Sequence, residues 1–235
     1  MEKKYKFSGE TKEWGCHTLH RIEALRDFNN VKKGELGGWI ESERNLSHED
    51  DCWVGENAVV CGDASVSGNA EVFGGAKVCG NAIVRGYAKV SDKAIVHGNA
   101  VLYDYAVVSG YANVFGNACV YCNALVCDNA KVYDNACVCD NAQVSGDAQV
   151  SGDAFVCGKA VIKDDSDYIV FKNFWSSGRY FTWTKSNNKW SVGCFYGTGE
   201  QLIEKAYKDS DRSGKWYERM VNITRTLLEE EGNEV

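Results

Sequence analysis

Three groups of residues carry side chains able to do chemistry. The first is a set of eleven cysteines, of which Cys61, Cys79, Cys127, Cys139 and Cys157 are spaced by multiples of six residues. Thiols so placed can oxidise to disulfides, hold zinc as thiolates, or serve as small half-polar fillers. The second is the histidines. His17, His20 and His48 fall near the start, and His97 stands alone between residues 54 and 162. A general base needs a partner that orients it, and His97 has no carboxylate on its own face of the repeat described below. The third is Arg179 within a run of aromatics that includes Trp183, Trp190, Phe195 and Tyr196. A guanidinium among aromatic planes suits a flat, anionic ligand. Core packing claims most of those aromatics, because a module of this size needs them.

What positions the first two groups is a strict six-residue step. An aliphatic residue recurs at every sixth position from Val54 to Ile162, and Ala recurs without a break from Ala58 to Ala160. Between them come Gly or Asp, then usually Asn or Asp, at the places where the chain must turn with positive φ. In Ala58-Val59-Val60-Cys61 the side chains alternate, so Ala58 and Val60 share one face and Val59 and Cys61 the other. Three short strands and three corners close one triangular coil of eighteen residues, the signature of a parallel β-helix. Counting from Val54 gives slightly more than six coils and a prism roughly 30 Å long.

The formal charge of −7 argues against nucleic acid as a partner. The first residues lack the apolar run of a signal peptide, and no segment is apolar enough to span a membrane. A cytoplasmic protein is expected, and its cysteines then read as reduced fillers. Residues 1–52 read as an N-terminal cap whose Tyr5-Lys6-Phe7 and Leu19 to Leu25 pair as strands. There Ile40 and Leu46 keep the step, Arg44 and Asp50 replace the Ala site, and two extra residues precede Val54. Residues 53–165 are the β-helix, and 166–235 an α+β module. In the module, strands are expected over Tyr168 to Phe171, Arg179 to Trp183 and Lys189 to Tyr196. Thr198 with Gln201 forms a capping box for one helix, and a second starts near Ser213.

The run RDFNNVKKGELGGWIESERNLSHEDDCWVGENA resembles the N-terminal signature of YdcK-like hexapeptide-repeat proteins of bacteria, phages and prophages. That resemblance implies a left-handed winding and a bacterial or phage setting, and it carries no assigned activity. Many left-handed β-helices are trimeric acyltransferases that use a histidine base and an extruded loop. Here no loop interrupts the coils and His97 lacks an orienting partner. The zinc carbonic anhydrases of the same fold use three histidines, and the coils hold one.

Eighteen residues return the chain to the same side, so three outward faces can be written down. One carries Ile83, Arg85, Val101, Tyr103, Tyr121 and Phe155 with Cys119, Cys137, Cys139 and Cys157. A contiguous apolar and aromatic face marks an interface, to other subunits or to the module. Its four thiols lie within reach of disulfide or zinc chemistry, and reduced packing is preferred, so no metal or cofactor is expected. The function expected is that of a non-enzymatic homo-oligomer, a trimer, with Arg179, Trp183 and Tyr196 as ligand residues. It would sequester a host immune component, either a small nucleotide-like signal or a host protein. A structural virion component and an acyltransferase-like enzyme are the alternatives.

Overall fold

In the computed structural model, residues 3–233 are described, with side chains through residue 230. The chain divides into two compact units, residues 1–165 and 166–235.

The first unit is mainly β. Strand β1 (Tyr5–Trp14) pairs antiparallel with β2 (His17–Ala24), and β2 pairs antiparallel with β3 (Leu36–Ile40). From there the chain winds as a parallel β-helix of two-residue strands, each registered eighteen residues on, as in Val90↔Val108 and Val101↔Cys119. Backbone hydrogen bonds such as Val101 N to Ala118 O (2.9 Å) join successive coils. Every Ala of the repeat and every inward aliphatic residue is buried, so the interior is an apolar stack free of polar side chains.

Among the described residues there are seven coils, against slightly more than six counted from Val54. Ile40 pairs with Val60, and Leu46 bridges Val66, each twenty residues on. These two and Val54 therefore make a complete first coil inside the stretch read as cap. The two extra residues lie in the corner between Leu46 and Val54, where they leave the inward register intact. The small site before Val54 is consequently the buried Cys52, and Asp50 turns the chain at φ 51°. Before Ile40 the same site is Gly38, where a Cβ would meet the Ala58 carbonyl oxygen at 2.7 Å.

The hairpin closes the open end with side chains in place of a further coil. Lys4 is fully buried, and its Nζ donates to the carbonyls of Glu49 and Asp50, both at 3.2 Å. The Tyr5 hydroxyl donates to Leu46 O at 2.8 Å, and its ring stacks on His48 at 4.2 Å. Leu19, with Trp14 and Trp39, covers the outward residues Val59, Cys61 and Cys79. Val59 and Cys61 do point away from the helix interior as alternation requires, yet they are buried beneath this cover.

The corners show why their residue types recur. Gly98 and Gly116 sit at φ 70°, and Asp92, Asp104 and Asp140 adopt the same left-handed conformation at φ 56–59°. An Asp below a Gly also accepts that glycine's N–H: Asp92 from Gly110 at 3.0 Å and Asp140 from Gly158 at 2.9 Å. Along one edge Asn81, Asn99, Asn117 and Asn135 form a side-chain ladder at 3.0–3.1 Å per step.

The second unit is a four-stranded antiparallel sheet with two helices. Its strands are Tyr168–Lys172, Tyr180–Thr184, Lys189–Val192 and Phe195–Gly197. The stretch expected as one strand, Lys189 to Tyr196, is two, because Gly193 at φ 57° reverses the chain. Helix α1 (Gly199–Asp209) begins at the expected capping box, Thr198 accepting from Gln201 N. Helix α2 (Asp211–Asn233) starts two residues before Ser213. Trp175, Phe181, Trp183, Trp190, Leu202 and Tyr217 form the core, so the aromatics are spent chiefly on packing.

Candidate functional site

The sequence-derived ligand residues part company in the structure. Trp183 is 2% exposed, and its Nε1 donates to Asn188 Oδ1 at 3.0 Å. It lies two residues from Phe181 on the side of the strand that packs in the core, away from the cavity that Arg179 lines. Tyr196 is exposed, and its hydroxyl accepts from Asn187 Nδ2 at 3.1 Å. Arg179 instead lines a cavity of about 220 Å³, together with Ser176, Ser177, Lys205, Asp209, Ser213 and Tyr217. Asn173, at the cavity wall, donates to the Tyr217 hydroxyl at 2.9 Å. Burial raises the Tyr217 phenol above its ordinary value, with that hydrogen bond lowering it in part. The cavity thus offers two cations, one carboxylate and several hydroxyls. Lys205 comes from α1 and has no sequence signal that ties it to Arg179.

A second constellation, missed in the sequence, lies where the hairpin covers the first coils. His17 Nδ1 is 2.9 Å from Glu41 Oε2, which also accepts the Gly62 N–H at 2.6 Å. These two bonds hold the Glu41 carboxyl below its usual range, the one to His17 contributing most. Nearby, Cys61 and Cys79 stand side by side on neighbouring coils, following the paired Val60↔Val78. The proximity of the two thiols pushes Cys61 up and holds Cys79 down, with Lys77 and His17 adding to the latter. An imidazole oriented by a carboxylate beside an acidic thiol is the arrangement that a base or nucleophile requires. His97 has nothing comparable. Its ring stacks on Phe115 at 5.1 Å, and Phe115 on Tyr133 at 5.0 Å, so one of its faces is taken up by an aromatic column.

The face written down from the repeat is one continuous six-stranded sheet, β-paired from Ser65 to Phe155. It places Ile83, Val101, Cys119, Cys137 and Phe155 in one column. Arg85 lies over the Tyr103 ring at 5.3 Å, and Tyr103 stacks on Tyr121 at 4.8 Å. Ile83 and Arg85 are exposed, and Val101, Tyr103, Tyr121 and Phe155 are partly so. Among the described residues, no helix is long and apolar enough to cross a membrane.

A curated relative matches part of this chain. It is the "Uncharacterized acetyltransferase YdcK" of Escherichia coli (strain K12), 44% identical over 50 residues. The match takes in 21% of this chain and 15% of the relative, so this chain spans only a small part of that protein's length. No protein-family profile matches the sequence. Together with the solenoid, the partial match fits a hexapeptide-repeat β-helix protein.

Proposed function

We propose that this protein binds the anionic head of a small metabolite in the cavity of its C-terminal module. The observation that carries the reading is that Arg179 and Lys205, from different elements, line one cavity with the serine hydroxyls. A guanidinium, an ammonium and hydroxyls are the donors that a phosphate or carboxylate needs. The cavity falls below the roughly 300–1,000 Å³ of sites that enclose a drug-sized molecule. A phosphate-bearing end fits it, and the rest of a nucleotide stays outside. Sequestration of a host immune signal by a phage-type protein belongs to this proposal, with the signature's resemblance as its support. So does self-association as a trimer through the Ile83 to Phe155 face.

Calorimetry against inorganic phosphate, ADP-ribose and a cyclic dinucleotide tests it. A submillimolar binder is expected, with Arg179→Ala and Lys205→Ala each weakening it tenfold or more, as loss of a charged hydrogen bond worth about 1.5–3 kcal/mol requires. Circular dichroism of both variants guards against unfolding. No binding by any of the three compounds ends this reading. For the oligomer, Val101→Glu with Tyr121→Glu should lower the mass seen by light scattering.

A second reading, acyl transfer, is favoured by the His17–Glu41 pair beside Cys79 and by the partial likeness to a protein named an acetyltransferase. Its sign would be release of the free thiol from acetyl-coenzyme A in the presence of amine acceptors, lost in His17→Ala. No release with any acceptor leaves the binding reading alone.

A further inference from the structure

The sulfurs of Cys139 and Cys157 and a carboxylate oxygen of Asp140 all lie within 4.8 Å of one another. We propose that these three residues form a binding site for a divalent cation of the zinc class. Two sulfurs about 2.3 Å from a tetrahedral zinc stand about 3.8 Å apart, so small rotations of these side chains suffice. Two soft thiolates with one carboxylate suit zinc over magnesium or calcium, which take oxygen donors. Binding displaces the two thiol protons to solvent, and the loaded site holds two thiolates and one carboxylate around the cation. A fourth ligand is left to water.

The backbone fixes this triad before any ion arrives. Cys139 and Cys157 stand at equivalent positions of successive coils, whose strands pair as Val138↔Val156. Cys139 N donates to Val156 O at 2.9 Å, and Asn141 N to Gly158 O at 2.8 Å. Asp140 sits in the left-handed corner at φ 57°, and one of its carboxylate oxygens accepts Gly158 N–H at 2.9 Å. That bond aims the carboxylate, as outer partners do at metal sites. Both thiols are 3% exposed, while Asp140 is exposed and opens the triad to solvent.

The other thiol pairs lack this chemistry. Cys119 and Cys137 point their Sγ at the carbonyls of Asn117 and Asn135, and the nearby corner side chains are amides. At Cys61 and Cys79 the nearest carboxylate, Glu41, is already bonded to His17 and Gly62. Only the 139–157 pair, among the described residues, meets a carboxylate at ligand spacing.

The test is a titration of the full chain, reduced with a phosphine and stripped of metal, with Co²⁺ and then Zn²⁺. One equivalent of Co²⁺ should give thiolate-to-cobalt charge-transfer absorption with tetrahedral d–d bands, and one equivalent of Zn²⁺ should abolish both. Cys139→Ser and Cys157→Ser should remove the charge-transfer band. Asp140→Asn should weaken affinity tenfold or more. Cys119→Ser, in the adjacent pair, should change nothing. Absence of the band in the reduced protein overturns the proposal, as does its persistence in the Cys139→Ser/Cys157→Ser double variant. Should the serine variants melt, as circular dichroism would reveal, Asp140→Asn decides alone: its exposed side chain leaves the coil intact, and unchanged affinity there overturns the site.

Discussion

Glu41 Oε2 joins two pieces of chain that the repeat does not connect: His17 Nδ1 at 2.9 Å on the hairpin, and Gly62 N at 2.6 Å on a coil corner. Both bonds favour the ionised carboxylate and depress its pKa, the bond to His17 most. A depressed carboxyl contributes stability above its unfolded pKa and loses it as pH falls through the lower folded value. Wild type should therefore melt above Glu41→Gln at neutral pH, and the gap should close as the pH drops below about 4. Partly exposed pairs of this kind are worth at most about 1 kcal/mol, so the gap is about 2–4 °C. A gap that is constant from neutral to acid pH would show that ionisation of Glu41 plays no part.

Cys79 should behave as a more acidic thiol than Cys127. The contact with Cys61 holds the Cys79 thiol down, while burial pushes Cys127 up. Iodoacetamide labelling, followed residue by residue by mass spectrometry, should reach half its limiting rate at a lower pH for Cys79 than for Cys127. Cys61→Ala removes that contact and should move the Cys79 midpoint up toward an ordinary thiol, about 8.5. An unmoved midpoint would remove the thiol pair as the cause.

The solenoid was legible because identical side chains recur at identical roles. Ala58 to Ala160 and Val54 to Ile162 announce the inward face, and only the inward face must repeat. The first coil is legible only as a degenerate one: Ile40 and Leu46 keep the step, but two extra residues intervene before Val54 and Gly38 or Cys52 stands where Ala would. In the C-terminal module the alternation of Tyr180 to Thr184 was visible, but not which side the helices cover. Trp183 was thus read as outward, whereas it shares the core with Phe181. Lys205 and Arg179 lie 26 positions apart on a helix and a loop, and His17 and Glu41 24 apart. No period links either pair, since only the chain's path through space brings them together.

The corner rule predicts which substitutions a coil accepts. At Gly98, φ is 70°, and an added Cβ would lie 2.9 Å from Gly116 N. Gly98→Ala should cost about 1–2 kcal/mol, the penalty for an ordinary residue in the left-handed region plus crowding. Gly98→Asp should cost less, because its carboxylate can take the Gly116 N–H as Asp92 takes that of Gly110. Urea denaturation ranks the pair. An aspartate variant as unstable as the alanine variant would mean that the hydrogen bond to the next coil does not offset the strain.

Asn45 replaces backbone at the solenoid's open end. Its side chain is fully buried, and Nδ2 donates to Gly62 O at 3.0 Å and Ala64 O at 2.8 Å, while Oδ1 accepts Ser42 N–H at 2.8 Å. Elsewhere those carbonyls receive N–H groups from the preceding coil, as Gly98 O does from Asn81 N at 2.7 Å. Here residues Glu43–Asn45 form a 3-10 turn in which Asn45 N bonds to Ser42 O at 3.1 Å, so one amide side chain serves both acceptors. Asn45→Ala should cost about 2–4 kcal/mol, since two buried carbonyls lose their donor. Asn45→Asp is nearly isosteric but brings a carboxylate against the same two oxygens, so it should be at least as damaging. Hydrogen exchange should locate the loss in the first coil, around residues 40 to 54, while protection persists near residue 120. An aspartate variant that melts like wild type would show that packing, and not donation to Gly62 and Ala64, is what Asn45 provides.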